Sequence, residues 1–83
     1  MASVRWSESA LRDLDKIDYP IAERIVEKAI WLENNFANIM PEKLRREFTG
    51  LYKLRVGDYR VAYSIRGSSI TIEIVGHRRD VYK

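Results

Sequence analysis

The N-terminal part of the chain changes from an alternating pattern of apolar residues to a helical one. Val4 and Trp6 alternate with polar neighbours, which predicts a short first strand. Ser7 is a residue type that caps helices, and Glu8 suits the positively polarised first turn that follows such a cap. Apolar residues then recur at three-residue intervals, at Leu11, Leu14 and Ile17. The pattern therefore predicts a first helix over residues 8–17.

A longer helical pattern follows a break at residues 18–20, where the proline suits the first position of a new helix. Apolar residues recur every three or four positions along this segment, at Ile21, Ile25, Ala29, Leu32 and Phe36. We expect a second helix over residues 20–36, which forms a helical hairpin with the first. Pro41 ends any helical continuation after residue 36. In the segment that follows, Leu44 and Phe48 are expected to anchor the chain to the core.

The last third of the chain is rich in β-branched and aromatic residues, which predicts strands over residues 51–56, 59–65 and 69–75. Gly57-Asp58 and Gly67-Ser68 separate these strands by two residues each, the signal of tight hairpins. The predicted fold is α+β, with one small domain over residues 1–83. Its order is strand, helix, helix and three strands, with an antiparallel sheet and the helical hairpin packed on one face. The place of the first strand in the sheet stays open.

The two tight turns fix which residues lie opposite each other, because a two-residue turn sets the register. The first turn places Arg55 opposite Arg60, and the second places Tyr63 opposite Ile72 and Val61 opposite Ile74. Side chains alternate between the two faces of a strand. One face then carries mainly aromatic and aliphatic side chains, from Tyr52, Leu54, Val56, Tyr59, Val61 and Tyr63. We expect this face to pack on the helices.

The opposite face brings three cationic side chains together, those of Lys53, Arg55 and Arg60. Like charges directly opposite each other destabilise a sheet, so this arrangement favours a bound anion. The fixed donor fork of arginine matches phosphate in particular. By the same alternation, Glu73 lies across Ala62 from Lys53, and His77 continues onto the cationic face. The alternative interpretation is an exposed basic face with no ligand.

Composition excludes several classes of function. The chain has 83 residues and no cysteine, which removes disulfides, thiolate zinc sites and cysteine nucleophiles. A single histidine and the lack of a carboxylate cluster predict neither a metal nor another cofactor. No apolar run reaches the roughly 18 residues of a membrane span, and the N-terminus lacks the apolar stretch of a signal peptide. We therefore expect a cytoplasmic protein that does not associate with membranes.

The net charge of +3 is unevenly distributed along the chain. Residues 1–52 hold eight Lys/Arg and nine Asp/Glu, a balance of −1, whereas residues 53–83 hold seven and three, a balance of +4. A basic surface at one end of a small domain predicts a polyanionic partner such as a nucleic acid. A solvated basic face without a partner is the alternative.

Two motifs then carry a resemblance to a known family. The chain contains Tyr52-Lys53-Leu54-Arg55, then Tyr59-Arg60-Val61-Ala62-Tyr63, and ends in His77-Arg78-Arg79-Asp80-Val81-Tyr82-Lys83. Along essentially its whole length it resembles the RelE/ParE toxins of bacterial and archaeal toxin–antitoxin pairs. The ending His-Arg-x-x-x-Tyr is similar to that of the RelE branch, which cleaves mRNA on the ribosome. The ParE branch, which poisons DNA gyrase, typically lacks this tyrosine.

The resemblance implies a toxin of a type II toxin–antitoxin system. We expect a metal-independent, ribosome-dependent mRNA endoribonuclease that inhibits translation by promoting attack of a 2′-hydroxyl on the adjacent phosphate. The implied partners are the ribosome with mRNA in its decoding site and a RelB-like antitoxin, which holds the toxin inactive in a hetero-oligomer. Two alternatives stay open, a ParE-like inhibitor of DNA gyrase and a member that binds RNA but has lost catalysis.

The resemblance also implies roles for individual residues. Lys53 and Arg55 match the basic pair of RelE, in which the second position is often a lysine assigned as general base. Arg60 matches the arginine that holds the scissile phosphate, and Arg78 the arginine proposed to aid the leaving group. Tyr82 matches the tyrosine that stacks on the substrate base, although the segment before it is two residues shorter than in the family.

The general base is left open, because Arg55 stands where a lysine is expected and arginine hardly deprotonates. The candidates are Lys53, His77 and Glu73, and the remaining possibility is that no strict base acts and catalysis comes from positioning and charge. Four further basic residues are expected to bind RNA, namely Lys43, Arg45, Arg46 and Arg79.

Overall fold

The computed structural model describes residues 2–43 and 50–81, with the backbone alone for residues 80 and 81. The elements in chain order are β1 (Ser3–Trp6), α1 (Glu8–Asp15), α2 (Tyr19–Asn35), a 3₁₀ turn (Phe36–Asn38), β2 (Glu42–Lys43), β3 (Tyr52–Val56), β4 (Tyr59–Arg66), β5 (Ser69–His77) and α3 (Arg78–Val81). The α+β architecture and both main helices agree with the prediction. The expected anchors Leu44 and Phe48 lie outside the described residues.

The described strands form one five-stranded sheet in the order β1-β5-β4-β3-β2. The pairs β2–β3, β3–β4 and β4–β5 are antiparallel, as predicted for the three long strands. The first strand, whose place the sequence left open, pairs in parallel with β5, so the sheet is mixed. The two-residue strand β2 was not predicted, since Glu42-Lys43 follows Pro41 and is too short to show an alternating pattern.

The helix ends follow from identifiable residues. The Ser7 hydroxyl caps α1 by accepting a hydrogen bond from the Ala10 backbone N–H at 3.0 Å. Pro20 lies in the first turn of α2, where the absence of its N–H costs nothing. Both helices end within two residues of the predicted positions, α1 at Asp15 and α2 at Asn35.

The hydrophobic core lies between the helices and the predicted apolar face of the sheet. Ile25, Ala29 and Leu32 of α2 are buried at 0%, 3% and 0% exposure. The cluster around them includes Ala10 of α1 and the strand residues Val56, Val61, Tyr63, Ile70, Ile72 and Val75. Tyr52, Leu54 and Tyr59 pack against this cluster, which confirms the predicted inward face.

Both predicted hairpin turns are present, and each depends on a glycine with positive φ. Gly57 has φ 58° and Gly67 has φ 61°, a left-handed conformation that side-chain-bearing residues rarely adopt. The first turn gives the predicted register, with Arg55 opposite Arg60 and Leu54 opposite Val61.

The second hairpin departs from its predicted register partway along. Tyr63 pairs with Ile72 as expected, but a bulge at Ala62/Tyr63 makes Ala62 pair with Ile74 and Val61 with Val75. The predicted pair of Val61 with Ile74 is therefore wrong. The bulge inserts one extra residue, Glu73, into β5, which reverses the faces of all the residues after it.

The bulge moves His77 away from the cationic face. Val75 enters the core at 3% exposure. His77 lies opposite Tyr59, with their rings in an edge-to-face contact at 5.4 Å between centroids. Because paired residues point to the same face, His77 lies on the helix-facing side of the sheet. The prediction that His77 shares the cationic face was wrong, since it assumed unbroken alternation.

Candidate functional site

The basic residues of the β3–β4 hairpin form the candidate site. Lys53, Arg55 and Arg60, named here the cationic cluster, lie on the two strands of this hairpin, with Arg55 and Arg60 directly opposite each other. Arg55 is exposed, whereas Arg60 is buried at 7% exposure. The register therefore brings the cationic cluster together as predicted, and the two arginines differ in their access to solvent.

The Arg60 guanidinium turns back towards its own hairpin. Its Nη1 donates to the carbonyl oxygens of Gly57 at 2.9 Å and Tyr59 at 3.0 Å. Burying a charge is costly unless hydrogen bonds compensate, and these two bonds supply part of that compensation. Arg60 thus holds the turn that follows the strand carrying Arg55.

Lys53 has an acidic neighbour that the sequence did not reveal. Its Nζ lies 3.2 Å from Oε2 of Glu42, the residue that pairs with Lys53 across β2 and β3. The lysine side chain is 31% exposed and the glutamate side chain 70%. An exposed pair of this kind stabilises the fold little, but it keeps the ammonium group on this edge of the sheet. Lys43, a predicted RNA-binding residue, is exposed on the same short strand.

The C-terminal end of β5 meets the β3–β4 turn. The backbone N–H of Arg78 donates to the carbonyl of Asp58 at 2.8 Å, next to the Gly57 carbonyl that accepts from Arg60. The side chains of Arg78 and Arg79 are exposed. His77 Nδ1 accepts from the Arg79 backbone N–H at 3.2 Å, so this nitrogen is engaged in ordering the start of α3. The structure thus brings Arg78 to the end of the hairpin that carries Arg55 and Arg60.

Glu73 lies elsewhere than predicted. Ile74, and not Glu73, stands across Ala62 from Lys53, because the bulge shifts the pairing by one residue. The Glu73 carboxylate instead accepts a hydrogen bond from the Ser64 hydroxyl at 3.0 Å. Ser64 is two residues from Ala62 on β4 and pairs with Thr71, so the Glu73 carboxylate contacts β4 at a position away from the Ala62–Lys53 pair. The predicted proximity of Glu73 to Lys53 was wrong for this reason.

Two tyrosines support the hairpin from the helix-facing side. Tyr52 and Tyr63 lie opposite each other, with ring centroids 5.8 Å apart in a stacked arrangement. Burial raises the pKa of Tyr63 above its ordinary value of 10.0, and the neighbouring Tyr52 and Glu42 raise this pKa further. Tyr63 is therefore a neutral core residue over the physiological range and not a candidate base.

Three predicted site residues, Arg45, Arg46 and Tyr82, lie outside the described residues.

A feature that the prediction did not include is a groove beside the cationic cluster, where Arg24 and Lys28 of α2 approach Arg55. Its signal was present in the sequence, since Arg24, Lys28 and Trp31 follow the helical spacing of one face. Trp31 is 40% exposed at this groove.

Comparisons with known proteins agree on one class. A family model described as the ParE toxin of the type II toxin–antitoxin system, parDE, matches residues 4–82. Toxin RelG of Mycobacterium tuberculosis is 35% identical over 83 residues, which cover 98% of this chain and 95% of that protein. The matches define a toxin of a type II toxin–antitoxin system. The chain belongs to the ParE toxin family, within the RelE/ParE superfamily that its motifs predicted.

Solved structures agree with this assignment. The toxin–antitoxin complex RelBE2 of Mycobacterium tuberculosis matches with a TM-score of 0.81 and 34% identity, over 93% of this chain and 98% of that chain. The RelB–RelE antitoxin–toxin complex of Methanococcus jannaschii matches with a TM-score of 0.72 and 25% identity, over 94% of each chain. Among the described residues of the present chain, no helix is long and apolar enough to cross a membrane.

Proposed function

We propose that this toxin is an mRNA endoribonuclease that acts on the ribosome and is held inactive by a RelB-like antitoxin. The observation that carries the proposal is the pair of arginines, Arg55 and Arg60, directly opposite each other on the β3–β4 hairpin with Lys53 beside them. Stability alone does not favour such a pair, whereas a phosphate between or above the two guanidinium groups does. The similarity to Toxin RelG over nearly the whole chain supports the toxin class on which this proposal builds.

The proposed reaction uses a nucleophile that RNA itself supplies. The 2′-oxygen attacks the adjacent phosphorus and the bond from phosphorus to the 5′-oxygen breaks. The 2′-hydroxyl gives up its proton to solvent, and the leaving 5′-oxygen takes up one proton. The five-coordinate phosphate carries extra negative charge in the transition state. Cations held close together on a hairpin can stabilise that charge, and such electrostatic stabilisation commonly contributes more to catalysis than any other effect. No metal or other cofactor is part of this proposal.

Each member of the cationic cluster has a proposed role that suits its surroundings. Arg55 is exposed and able to reach a phosphate of an incoming RNA. Lys53, on the same hairpin, is ion-paired with Glu42 at 3.2 Å, and its proposed role is to stabilise charge. Arg60 holds the turn through Gly57 and Tyr59. Its proposed role is to contact the scissile phosphate next to that turn.

We propose that no strict general base acts and that positioning and charge supply the catalysis. His77 lies on the helix-facing side against Tyr59, and Glu73 is engaged with Ser64. Arg78, at the end of the same hairpin, is the proposed aid to the leaving 5′-oxygen. Tyr82 is the proposed stacking platform for a base, and Lys43, Arg45, Arg46 and Arg79 the proposed contacts to the RNA backbone.

Cleavage mapping in a cell-free translation mixture tests this proposal. We expect wild-type protein to cut mRNA at the decoding site only when ribosomes are present, with naked RNA uncut. Arg55→Ala should lower the cleavage rate by about 10²–10³, as does the loss of one well-placed donor to a transition-state anion. Arg66→Ala is the matched control, since it removes an exposed arginine at the far end of β4 and should leave the rate unchanged.

Arg60→Ala belongs in the same experiment but needs a folding control, because Arg60 is buried and bonded to the turn. Circular dichroism and the thermal midpoint would separate loss of the fold from loss of the phosphate contact. Normal translation with no cuts by the wild-type protein would contradict the nuclease proposal.

The match to a ParE family model favours a second candidate function, inhibition of DNA gyrase. This alternative predicts a DNA-damage response in cells and loss of gyrase supercoiling activity in vitro, without RNA cuts. A supercoiling assay with purified gyrase, run on the same protein preparation, separates the two candidates. The partner proposed for either function is the antitoxin, in a hetero-oligomer in the cytoplasm.

A further inference from the structure

Three consecutive carbonyl groups of the β3–β4 turn join two arginines of the proposed reaction, Arg60 and Arg78. The carbonyls of Gly57 and Tyr59 accept hydrogen bonds from Nη1 of Arg60, at 2.9 and 3.0 Å. The carbonyl between them, that of Asp58, accepts from the backbone N–H of Arg78 at 2.8 Å. One short segment of backbone therefore links the Arg60 guanidinium to the main chain of Arg78.

The position of the Arg78 side chain depends on how firmly its backbone is held. This side chain is exposed, and its residue is the first of α3. A long side chain contributes more to a reaction when less of its freedom remains to be lost, and a displacement of about 1 Å can lower a rate by about 10²-fold. The proposed role of Arg78 at the leaving 5′-oxygen therefore requires that the start of α3 is fixed.

His77, the residue immediately before α3, fixes the start of this helix. Its Nδ1 accepts a hydrogen bond from the backbone N–H of Arg79, the second residue of the helix, at 3.2 Å. Side chains that cap a helix usually accept this bond through an oxygen atom, and here an imidazole nitrogen takes the same place. Together with the bond from the Arg78 N–H to the Asp58 carbonyl, it provides acceptors for the first two amides of α3.

The ring of His77 also contacts the β3–β4 hairpin. The bulge in β5 places it opposite Tyr59, and the two rings meet edge to face, with centroids 5.4 Å apart and planes at 76°. Tyr59 is a residue whose carbonyl accepts from Arg60. His77 thus closes a ring of contacts that passes through Tyr59, the turn and the start of α3. Its two contacts hold the helix start against the turn that Arg60 stabilises.

We propose that His77 is a positioning residue for the proposed cleavage reaction and that it acts through Arg78. It holds the start of α3 against the β3–β4 turn, so that the Arg78 guanidinium extends from a fixed backbone beside the residues that bind phosphate. This inference rests on the proposed function, which gives Arg78 its role at the leaving oxygen. His77 itself transfers no proton, because its Nδ1 is engaged with the Arg79 N–H and its ring lies on the helix-facing side.

The two contacts of His77 can be removed separately. His77→Asn keeps an acceptor for the Arg79 N–H, since asparagine is among the preferred capping residues, but it loses the ring. His77→Phe keeps a ring against Tyr59 but has no acceptor. We expect the acceptor to matter more for cleavage, because the hydrogen bond acts directly on the backbone that carries Arg78.

Cleavage of two mRNA substrates on the ribosome tests this inference with the full-length toxin. One substrate is ordinary mRNA, and the other carries sulfur in place of the bridging 5′-oxygen at the cut found by mapping. The sulfur leaves as a thiolate without taking up a proton, because a thiol is far more acidic than an alcohol. Aid to the leaving group is therefore dispensable on the sulfur substrate, and variants that lack only this aid should regain their rate there.

We expect His77→Phe to lower the rate on ordinary mRNA on the order of tenfold or more, and most of this loss to disappear on the sulfur substrate, as for Arg78→Ala. His77→Asn should cleave both substrates nearly as fast as wild type. Asp13→Ala is the control for a merely structural effect, because it weakens the fold through Val75 and should slow both substrates equally. Circular dichroism checks the fold of each variant, and His77→Leu replaces His77→Phe if the latter does not fold.

Two results would overturn the inference while leaving the nuclease proposal intact. One is a wild-type rate for His77→Phe on ordinary mRNA, and the other is a loss of equal size on both substrates, which a structural role alone predicts. Wild-type toxin that cuts neither substrate would overturn the proposed function, and the role of His77 with it. Cleavage by the wild-type protein thus distinguishes the two kinds of failure.

Discussion

At the scale of single residues, Arg60 shows how burial changes what a cation can do. Its position opposite Arg55 follows from the turn, but its low exposure and its bonds to the Gly57 and Tyr59 carbonyls do not. A buried guanidinium loses little additional solvation when a phosphate arrives, because burial has already removed most of its hydration and two carbonyl oxygens accept hydrogen bonds from it. Arg60 is thereby preorganised, whereas the exposed Arg55 must be ordered by its ligand.

Tyr63 supplies a prediction about pH. Burial raises the pKa of its hydroxyl in the folded protein above the ordinary value of 10.0. Stability from this group is therefore fully present below pH 10 and is lost as pH rises through the folded-state pKa, because the unfolded chain releases the proton first. We expect Tyr63→Phe to remove this contribution, which amounts to at most about 1.4 kcal/mol per pH unit.

Urea unfolding of wild type and Tyr63→Phe at a series of alkaline pH values measures the effect. The free energy of unfolding should fall more steeply with pH in wild type than in the variant. Tyr19→Phe is the control, because Tyr19 is 73% exposed and its replacement should leave the wild-type pH dependence intact. Parallel curves for wild type and Tyr63→Phe would contradict the prediction.

The residue types of the cationic cluster were predictable, but the partners of these residues were not. The turn at Gly57-Asp58 sets Arg55 opposite Arg60, and this pairing is predictable from the two turn residues alone. The ion pair of Lys53 with Glu42 depends on the short strand β2, for which Glu42-Lys43 gives no periodic signal. Side-chain directions at a sheet edge depend on contacts with such neighbouring strands. Secondary-structure propensities describe single segments and do not predict these contacts.

At the scale of elements, the junction of α1 with β5 explains how the bulge is tolerated. Strand β1 pairs with β5 only as far as Ile72. Beyond that point, side chains at α1 supply hydrogen-bond partners to the backbone of β5. The Ser7 hydroxyl donates to the Glu73 carbonyl at 3.1 Å, and Asp13 Oδ2 accepts from the Val75 N–H at 3.1 Å. The end of β1 leaves backbone groups of β5 without strand partners beside the bulge, and two side chains at the helix supply them.

The bulge also shows where prediction from alternation fails. Tyr63 opposite Ile72 was correct, and one extra residue then changed the faces of Val75 and His77. Both Ile74 and Val75 are branched apolar residues, so the sequence gives no preference for the one that enters the core. The choice depends on the α1 contacts to Glu73 and Val75, which link residues far apart in the chain.

Asp13 tests this account of the α1–β5 junction. Asp13→Ala leaves the Val75 N–H without its acceptor beside a core residue, and we expect it to lower the free energy of unfolding by about 1–3 kcal/mol. Asp13→Asn keeps a carbonyl oxygen at the same position and should recover part of the loss. Denaturant unfolding measures both variants. Asp15→Ala, an exposed carboxylate near the end of the same helix, is the control and should change little; an equal loss there would contradict the account.

At the scale of the whole molecule, charge separation along the chain becomes separation in space. The excess of basic residues falls in residues 53–83, which form β3, β4, β5 and α3. The acidic residues are concentrated in the N-terminal part, which supplies both main helices. The groove beside the cationic cluster is the exception, because α2 contributes Arg24 and Lys28 to the basic side there. A field of this shape orients an approaching polyanion towards the β3–β4 hairpin.

The salt dependence of RNA binding tests which cations contact phosphate. Each neutralised phosphate of a single strand contributes about −0.7 to the slope of log K against log salt concentration. We expect Arg55→Ala to reduce the magnitude of this slope by about 0.7, because Arg55 is the exposed arginine of the cationic cluster. Arg66→Ala, at the other end of β4, should leave it unchanged. Fluorescence anisotropy with a single-stranded RNA oligonucleotide at several salt concentrations gives the slopes, and identical slopes for wild type and Arg55→Ala would show that Arg55 does not contact phosphate.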